Sequence, residues 1–179
     1  LGCQLAPVPA NTPKLASYMT AEAAVSLPAS INRRDKAAQS IARMYMNDQL
    51  GCCVISGKAH ALGVWSANDT DSGGLVEATD AEIVQQYQAI CGPGDNGCYI
   101  TRVLDVMKTK GFVASGKAYT LDGYVSVNWR NQDEVKAALY LFGAVTLGIN
   151  LPQAWTQNAV WDVTNSPIVG GHDVTAIDY

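Results

Sequence analysis

An α+β fold is predicted, with helices concentrated in the N-terminal half and strands in the C-terminal half. Two changes along the chain predict it. Between residues 53 and 111 apolar side chains recur every three to four positions, the helical period, and from about residue 123 they alternate or run in β-branched stretches, the strand period. A third observation bounds the size of the unit. With 179 residues, 48% apolar and 16% charged, the chain can bury one sizeable core or two small lobes sharing a cleft.

Residues 1 to 30 read as an extended Pro/Ala-rich arm, because Pro7, Pro9, Pro13 and Pro28 oppose helix. Residues 31 to 46 mix charge with Ile41, Met44 and Tyr45 and lead to Asn47-Asp48, a turn or N-cap signal. A helix is predicted from about Cys53 to Trp65, burying one broad face through Val54, Ile55, Ala59, Leu62 and Trp65. The stretch NDTDSGG is a loop. A second helix opens at Thr79-Asp80 and carries Ile83, Tyr87 and Ile90; a third runs through Ile100, Val103, Leu104 and Met107 to Gly111. Strands are predicted at GYVSVNW, GAVTLGINL and HDVTAIDY, and a helix that starts at Asn131 or Asp133 and ends at Gly143 lies between the first two.

A net charge of −4 and no basic cluster beyond Arg33-Arg34 argue against nucleic acid as a partner. No apolar run approaches the ~20 residues that span a bilayer. Five cysteines, an odd number, leave at least one thiol unpaired if the rest are bridged. The compartment stays open, with a secreted or cell-envelope location favoured. The pattern asks for neither a cofactor nor a metal.

The chemistry concentrates in MNDQLGCCVISGKAHALGVW, residues 46 to 65. A cysteine in the first turn of a helix meets unpaired backbone N–H groups and the positive end of the helix dipole, both of which favour a thiolate, so Cys53 is the candidate nucleophile. Its base should be a histidine. His60 lies seven positions along the same helix, about 10 Å away at 1.5 Å per residue, too far for a hydrogen bond. His172 follows Gly170-Gly171, where missing side chains let another segment approach, and it is the candidate base.

These residues resemble the papain-like (C1-type) cysteine peptidases, and most closely a bacterial and phage branch whose nucleophile motif reads roughly Asn-Asp-x-x-Gly-x-Cys. NDQLGCC carries that motif here. AICGPGDNGCYITRVLDVMKTKG is similar to the family's C-x6-C segment and following helix, VNWRNQDEVKAALYLFGAVTLGINL to its next helix and strand, and GGHDVTAIDY to the strand bearing the base. The match covers about residues 40 to 179. It implies a two-lobe fold: a helical lobe at 31–112 with the nucleophile helix, and a β-barrel-like lobe at 113–179 whose C-terminal strands are expected to be missing from this chain. It also implies peptide-bond hydrolysis through a thioester, with Cys53 as nucleophile, His172 as base and Asn47 in the oxyanion hole. Gly51, Cys98, Tyr99 and Gly171 would contact a peptide or protein substrate.

The departures from the family matter too. Cys52 stands directly beside the nucleophile and Val54 follows it, where relatives carry a cysteine three residues earlier and an aromatic residue. Cys52 is open to pairing with Cys91 or Cys98, which could instead pair with each other. Tyr99 and Ile100 replace the family's glycines. No residue after His172 can be assigned as the one that orients its ring, and Asp173 alternates to the opposite side of the strand. The expectation is that a second chain from the same precursor completes the C-terminal lobe. Acyl transfer to an amine, or a catalytically silent binding module, are the alternative functions.

Overall fold

The computed structural model describes residues 2–19, 27–71, 73–157 and 160–179. Among them the order is α1 (Ala38–Ile41), α2 (Cys53–Asn68), α3 (Asp80–Cys91), α4 (Ile100–Thr109), β1 (Phe112–Ala114), β2 (Lys117–Tyr119), α5 (Gln132–Phe142), β3 (Val145–Pro152) and β4 (Ile168–Ala176). Single 3-10 turns stand at Leu15–Ser17 and Gln153–Thr156. No described helix is long and apolar enough to cross a membrane.

The long helix α2 departs from its expected amphipathic form. It is buried on nearly every side, including Ser56, Gly57 and Lys58, because α1, α3, α4 and β4 all pack on it. Its small residues permit this: a Cβ at Gly63 would run into the Ser40 side chain. The expected capping box of α3 is present, Thr79 Oγ1 accepting from the Glu82 amide at 3.2 Å while the Glu82 carboxylate accepts from the Thr79 amide at 2.7 Å. Ile83, Tyr87 and Ile90 of α3 and Val103 and Met107 of α4 join Cys53, Val54 and Ile55 of α2 in one apolar cluster. A second cluster gathers Leu15 of the arm, Ala138 and Leu139 of α5 and Val145 of β3. Two lobes result, with α2 reaching across to the second.

Three strand expectations fare differently. β3 forms close to its predicted place, and β4 starts four residues ahead of His172. Residues 123–129 form no strand; Ser126 alone makes a bridge, to Lys14 of the arm, through Ser126 N–H to the Pro13 carbonyl (2.8 Å) and Leu15 N–H to the Ser126 carbonyl (2.9 Å). Their alternation instead serves packing, with Val125 and Val127 set against the second cluster. The β1–β2 hairpin went unread because each strand has three residues; its turn, Ser115-Gly116, has φ of 50° and 73°, the left-handed pair that a two-residue hairpin loop requires. α5 begins at Asn131, whose side chain accepts from the Asp133 and Glu134 amides, and ends at Gly143, φ 77°.

Thr79→Ala, which removes the α3 cap, is expected to cost about 1 kcal/mol. Ile83→Ala, which opens a cavity in the first cluster, is expected to cost about 2–5 kcal/mol. Urea midpoints at constant m-value check both, and a cap loss equal to the core loss would contradict the packing described.

Candidate active site

Cys53 is the first residue of α2 and is 1% exposed. Burial pushes its thiol up. The backbone amides of Asp173 and Gly2 face the sulfur and work the other way, while the Asp173 carboxylate adds to the rise. Antiparallel pairing with β3, in register Ile149 to His172 and Gly148 to Asp173, fixes the strand that carries those residues. The link between the two candidate residues is thus indirect: it is Asp173, the residue following His172, whose amide faces the Cys53 sulfur. No hydrogen bond joins the sulfur to the ring. The buried Nδ1 of His172 has no partner among the described residues, and burial lowers the imidazole pKa.

The chain's own N-terminal residues fill the space between the two walls. Cys98 N–H donates to the Gly2 carbonyl (2.7 Å), Gln4 N–H to the Cys98 carbonyl (2.8 Å), and Cys3 N–H to the Gly171 carbonyl (3.2 Å). Gln4 Nε2 adds a bond to the Asn96 carbonyl at 2.7 Å. Absent side chains make this approach possible, since a Cβ at Gly2 would strike the Gly51 carbonyl and one at Gly171 the Cys3 carbonyl. Gly51, Cys98 and Gly171 therefore all contact an extended peptide segment. Tyr99 does not; it stands exposed at the start of α4, beside a shallow groove shared with Ala6, Pro7 and Pro9.

A hydrogen-bond chain holds the wall formed by Gly51 and the 91–98 loop. Gly51 N–H and the Tyr87 hydroxyl both donate to Asp95 Oδ1, at 2.7 and 2.8 Å, and Gly97 N–H donates to the Tyr87 oxygen at 2.9 Å. Desolvation, with the Asp95 carboxylate, pushes the Tyr87 phenol up to about 12. Cys91 and Cys98 form a disulfide, Cα to Cα 5.1 Å, which closes the loop bearing Asp95 and Gly97. Cys52 is therefore bridged to neither; it is a buried free thiol whose sulfur lies 3.3 Å from Ser56 Oγ and 3.6 Å from the Tyr45 carbonyl. Geometry settles this: the seven-residue span of Cys91 and Cys98 meets across one glycine-rich loop, whereas Cys52 points into α2 and the turn before it.

Asn47 is half-buried in that turn, its amide bonded to the Met44 carbonyl at 3.0 Å, and its side chain makes no hydrogen bond among the described residues. Tyr45 and Met46 just ahead of it have φ of 47° and 64°, a strained left-handed pair. His60 packs edge-on against Tyr45, ring centroids 4.9 Å apart, with burial lowering its pKa. Trp155 and Trp161 stack on each other at 5.1 Å in the segment between β3 and β4. Among the described residues no cluster could hold a metal ion.

Sequence reasoning missed two groups that build this site. Lys58, buried in α2, donates to Asp173 Oδ2 at 3.1 Å; the signal was a lone lysine inside an apolar helical run. Asp95 carried none, being one polar residue in a glycine loop.

No family model matches the chain, and no curated protein matches it. Solved structures do. The chain is similar to proCathepsin B S9 from Trypanosoma congolense, with a TM-score of 0.70 and 15% identity, covering 99% of this chain and 70% of that one. It is also similar to xylellain, a cysteine protease from Xylella fastidiosa, with a TM-score of 0.64 and 15% identity, covering 99% and 79%. The fold is that of the papain-like proteases, mixed helix and strand as expected.

Two outcomes follow from this geometry. Gly2→Val should lift residues 2–5 from the cleft, and since overpacking costs about 1–3 kcal/mol, Cys53 should alkylate about 10- to 100-fold faster; an unchanged rate in a folded variant would contradict the placement of the arm. Both histidines have pKa values lowered by burial, so the unfolded chain binds protons first. Stability should be fully present above pH ~6.5 and fall as pH drops from there towards the lower folded-state values, with a shallower slope in His60→Gln, read by urea unfolding across pH 5–7.

Proposed function

We propose that this chain is a papain-like cysteine peptidase that hydrolyses peptide bonds. The single observation that supports this best is the seating of an extended peptide segment, residues 2–4, between Cys98 and Gly171 with a backbone amide against the Cys53 sulfur. A cleft that hydrogen-bonds one peptide backbone on both sides of a buried helix-mouth cysteine suits a peptide substrate.

In this reading the Cys53 thiol loses its proton to His172 and the thiolate attacks the scissile carbonyl. The tetrahedral oxyanion is met by the Cys53 backbone N–H and the Asn47 side-chain amide. Collapse forms the thioester and expels the amine, which takes the proton back from His172. Water, giving a proton to the same imidazole, then attacks the thioester carbonyl, and cleavage of the C–S bond releases the acid and returns Cys53 and His172 to their starting state. Gly51, Cys98 and Gly171 form the substrate walls, with Tyr99 outside them, and the nucleophile segment Asn47 to Cys53 follows the motif of bacterial and phage enzymes. The raised Cys53 thiol belongs to the arm-covered state. Acyl transfer would use the same groups with an amine in place of water.

In the Gly2→Val background, Cys53→Ala is expected to reduce peptide hydrolysis to the uncatalysed background with the fold intact, while Cys52→Ala keeps activity. Asn47→Ala should lower kcat by about 10²–10³-fold, the usual cost of one oxyanion donor. Reversed outcomes for the two cysteines would move the nucleophile, and no hydrolysis by any folded variant would leave a silent binding module.

A further inference from the structure

Five positions beyond Cys53, Lys58 points out of α2 into the contact with β4. Lysine is almost never fully buried unless paired. Here the Lys58 side chain is 2% exposed and that of Asp173 0%, so a whole ion pair has been taken out of water between helix and strand. Three hydrogen bonds close the cluster: Lys58 Nζ donates to Asp173 Oδ2 at 3.1 Å and to Thr146 Oγ1, and Thr146 Oγ1 donates to Asp173 Oδ1 at 2.6 Å. Thr175 Oγ1 ties the same strand to the Gly57 carbonyl at 2.9 Å. Gly57 is part of the design, since a Cβ there would press on the Asp173 carboxylate.

Replacing a buried ion pair with apolar residues of similar volume is often neutral or stabilising, so stability alone does not account for this one. What charges supply and apolar groups do not is direction. The Asp173 side chain is fixed to the nucleophile helix on one face of β4, its backbone amide faces the Cys53 sulfur, and His172 precedes it on the other face. We propose that Asp173, held by Lys58 and Thr146, is a positioning residue that sets the His172 segment of β4 in register with Cys53 at the mouth of α2; the inference rests on the peptidase reading of Cys53 and His172. Asp173 does not orient the ring by a hydrogen bond, because both its carboxylate oxygens are engaged on the opposite side. The other titratable groups near Asp173 are His172 itself, Cys53, and Cys3 of the arm.

The test uses the full chain carrying Gly2→Val, compared with the same chain bearing Thr146→Val or the double change Lys58→Met/Asp173→Leu. The double variant leaves no unpaired buried charge, and Thr146→Val removes one hydroxyl. Iodoacetamide alkylation of Cys53 is followed against pH by peptide mapping, because Cys3 and Cys52 are also free thiols. Hydrolysis of a peptide substrate gives kcat and KM, and thermal unfolding checks the fold. The parent should show a reactive limb well below the ordinary thiol pKa of about 8.5, the mark of a thiolate–imidazolium pair. The folded double variant should lose that limb and about 10²-fold in kcat with KM little changed, the penalty for a displaced catalytic group. Thr146→Val should shift the limb upward in the same direction. A folded double variant that keeps the parent's limb and kcat overturns the positioning role; if the double variant does not fold, an unshifted limb in Thr146→Val overturns it. A parent with no low-pH limb overturns the peptidase reading and this inference together.

Discussion

The packing of α2 against β4 is the constraint on which everything else in the cleft depends. Cys53 opens α2 and His172 lies midway along β4, so where the two stand relative to each other is set by the angle and register at which helix and strand meet. Apolar packing is tolerant of sliding, since its energy depends on area rather than direction. The Lys58, Asp173 and Thr146 cluster is not tolerant. Losing one partner of a buried pair typically costs about 3–5 kcal/mol, because a charge is left without water or counter-charge. Register between the lobes is thereby tied to hydrogen-bond geometry, and the small residues of α2 allow the close approach that such geometry needs.

The wall formed by Gly51 and the 91–98 loop depends on a different device. Its backbone lies in loops, which lack the ladder that fixes β4, so side chains and a disulfide hold it. Asp95 receives the amide of Gly51 and the hydroxyl of Tyr87, and Tyr87 receives the amide of Gly97. Buried loop amides that would otherwise be unpaired are satisfied in this way, each at a saving of roughly 1–3 kcal/mol over the unpaired state. The consequence reaches the chemistry, because Gly51 and Cys98 are the points where an extended backbone enters the cleft. The arm exploits the same unpaired edges, bonding to Cys98 and to Gly171 on either side.

Burial biases both candidate groups of the site against charge. Cys53 and His172 are both shielded from water, which raises the pKa of the thiol and lowers that of the imidazole, so each is displaced towards its neutral form. Desolvation penalises a separated thiolate and imidazolium far more than a contacting pair.

How much of this the amino-acid sequence determined follows from the range of the forces involved. Local signals were legible: the Thr79 and Asn131 caps, the Gly111 and Gly143 stops, and the helical spacing of α3 and α4 depend on residues within one or two turns. The position of Cys53 in the first turn of its helix was legible too, since a helix start is a short-range pattern. Residues 123–129 misled because alternation records which side chains are buried, and a segment can bury alternate residues against a helix without any strand to pair with. The burial of α2 on all sides, the Cys91 to Cys98 pairing and the Lys58 to Asp173 contact were decided only by tertiary structure. Each joins groups whose proximity is set by how whole elements stack, and no local pattern records the partner that stacking brings across from the other lobe.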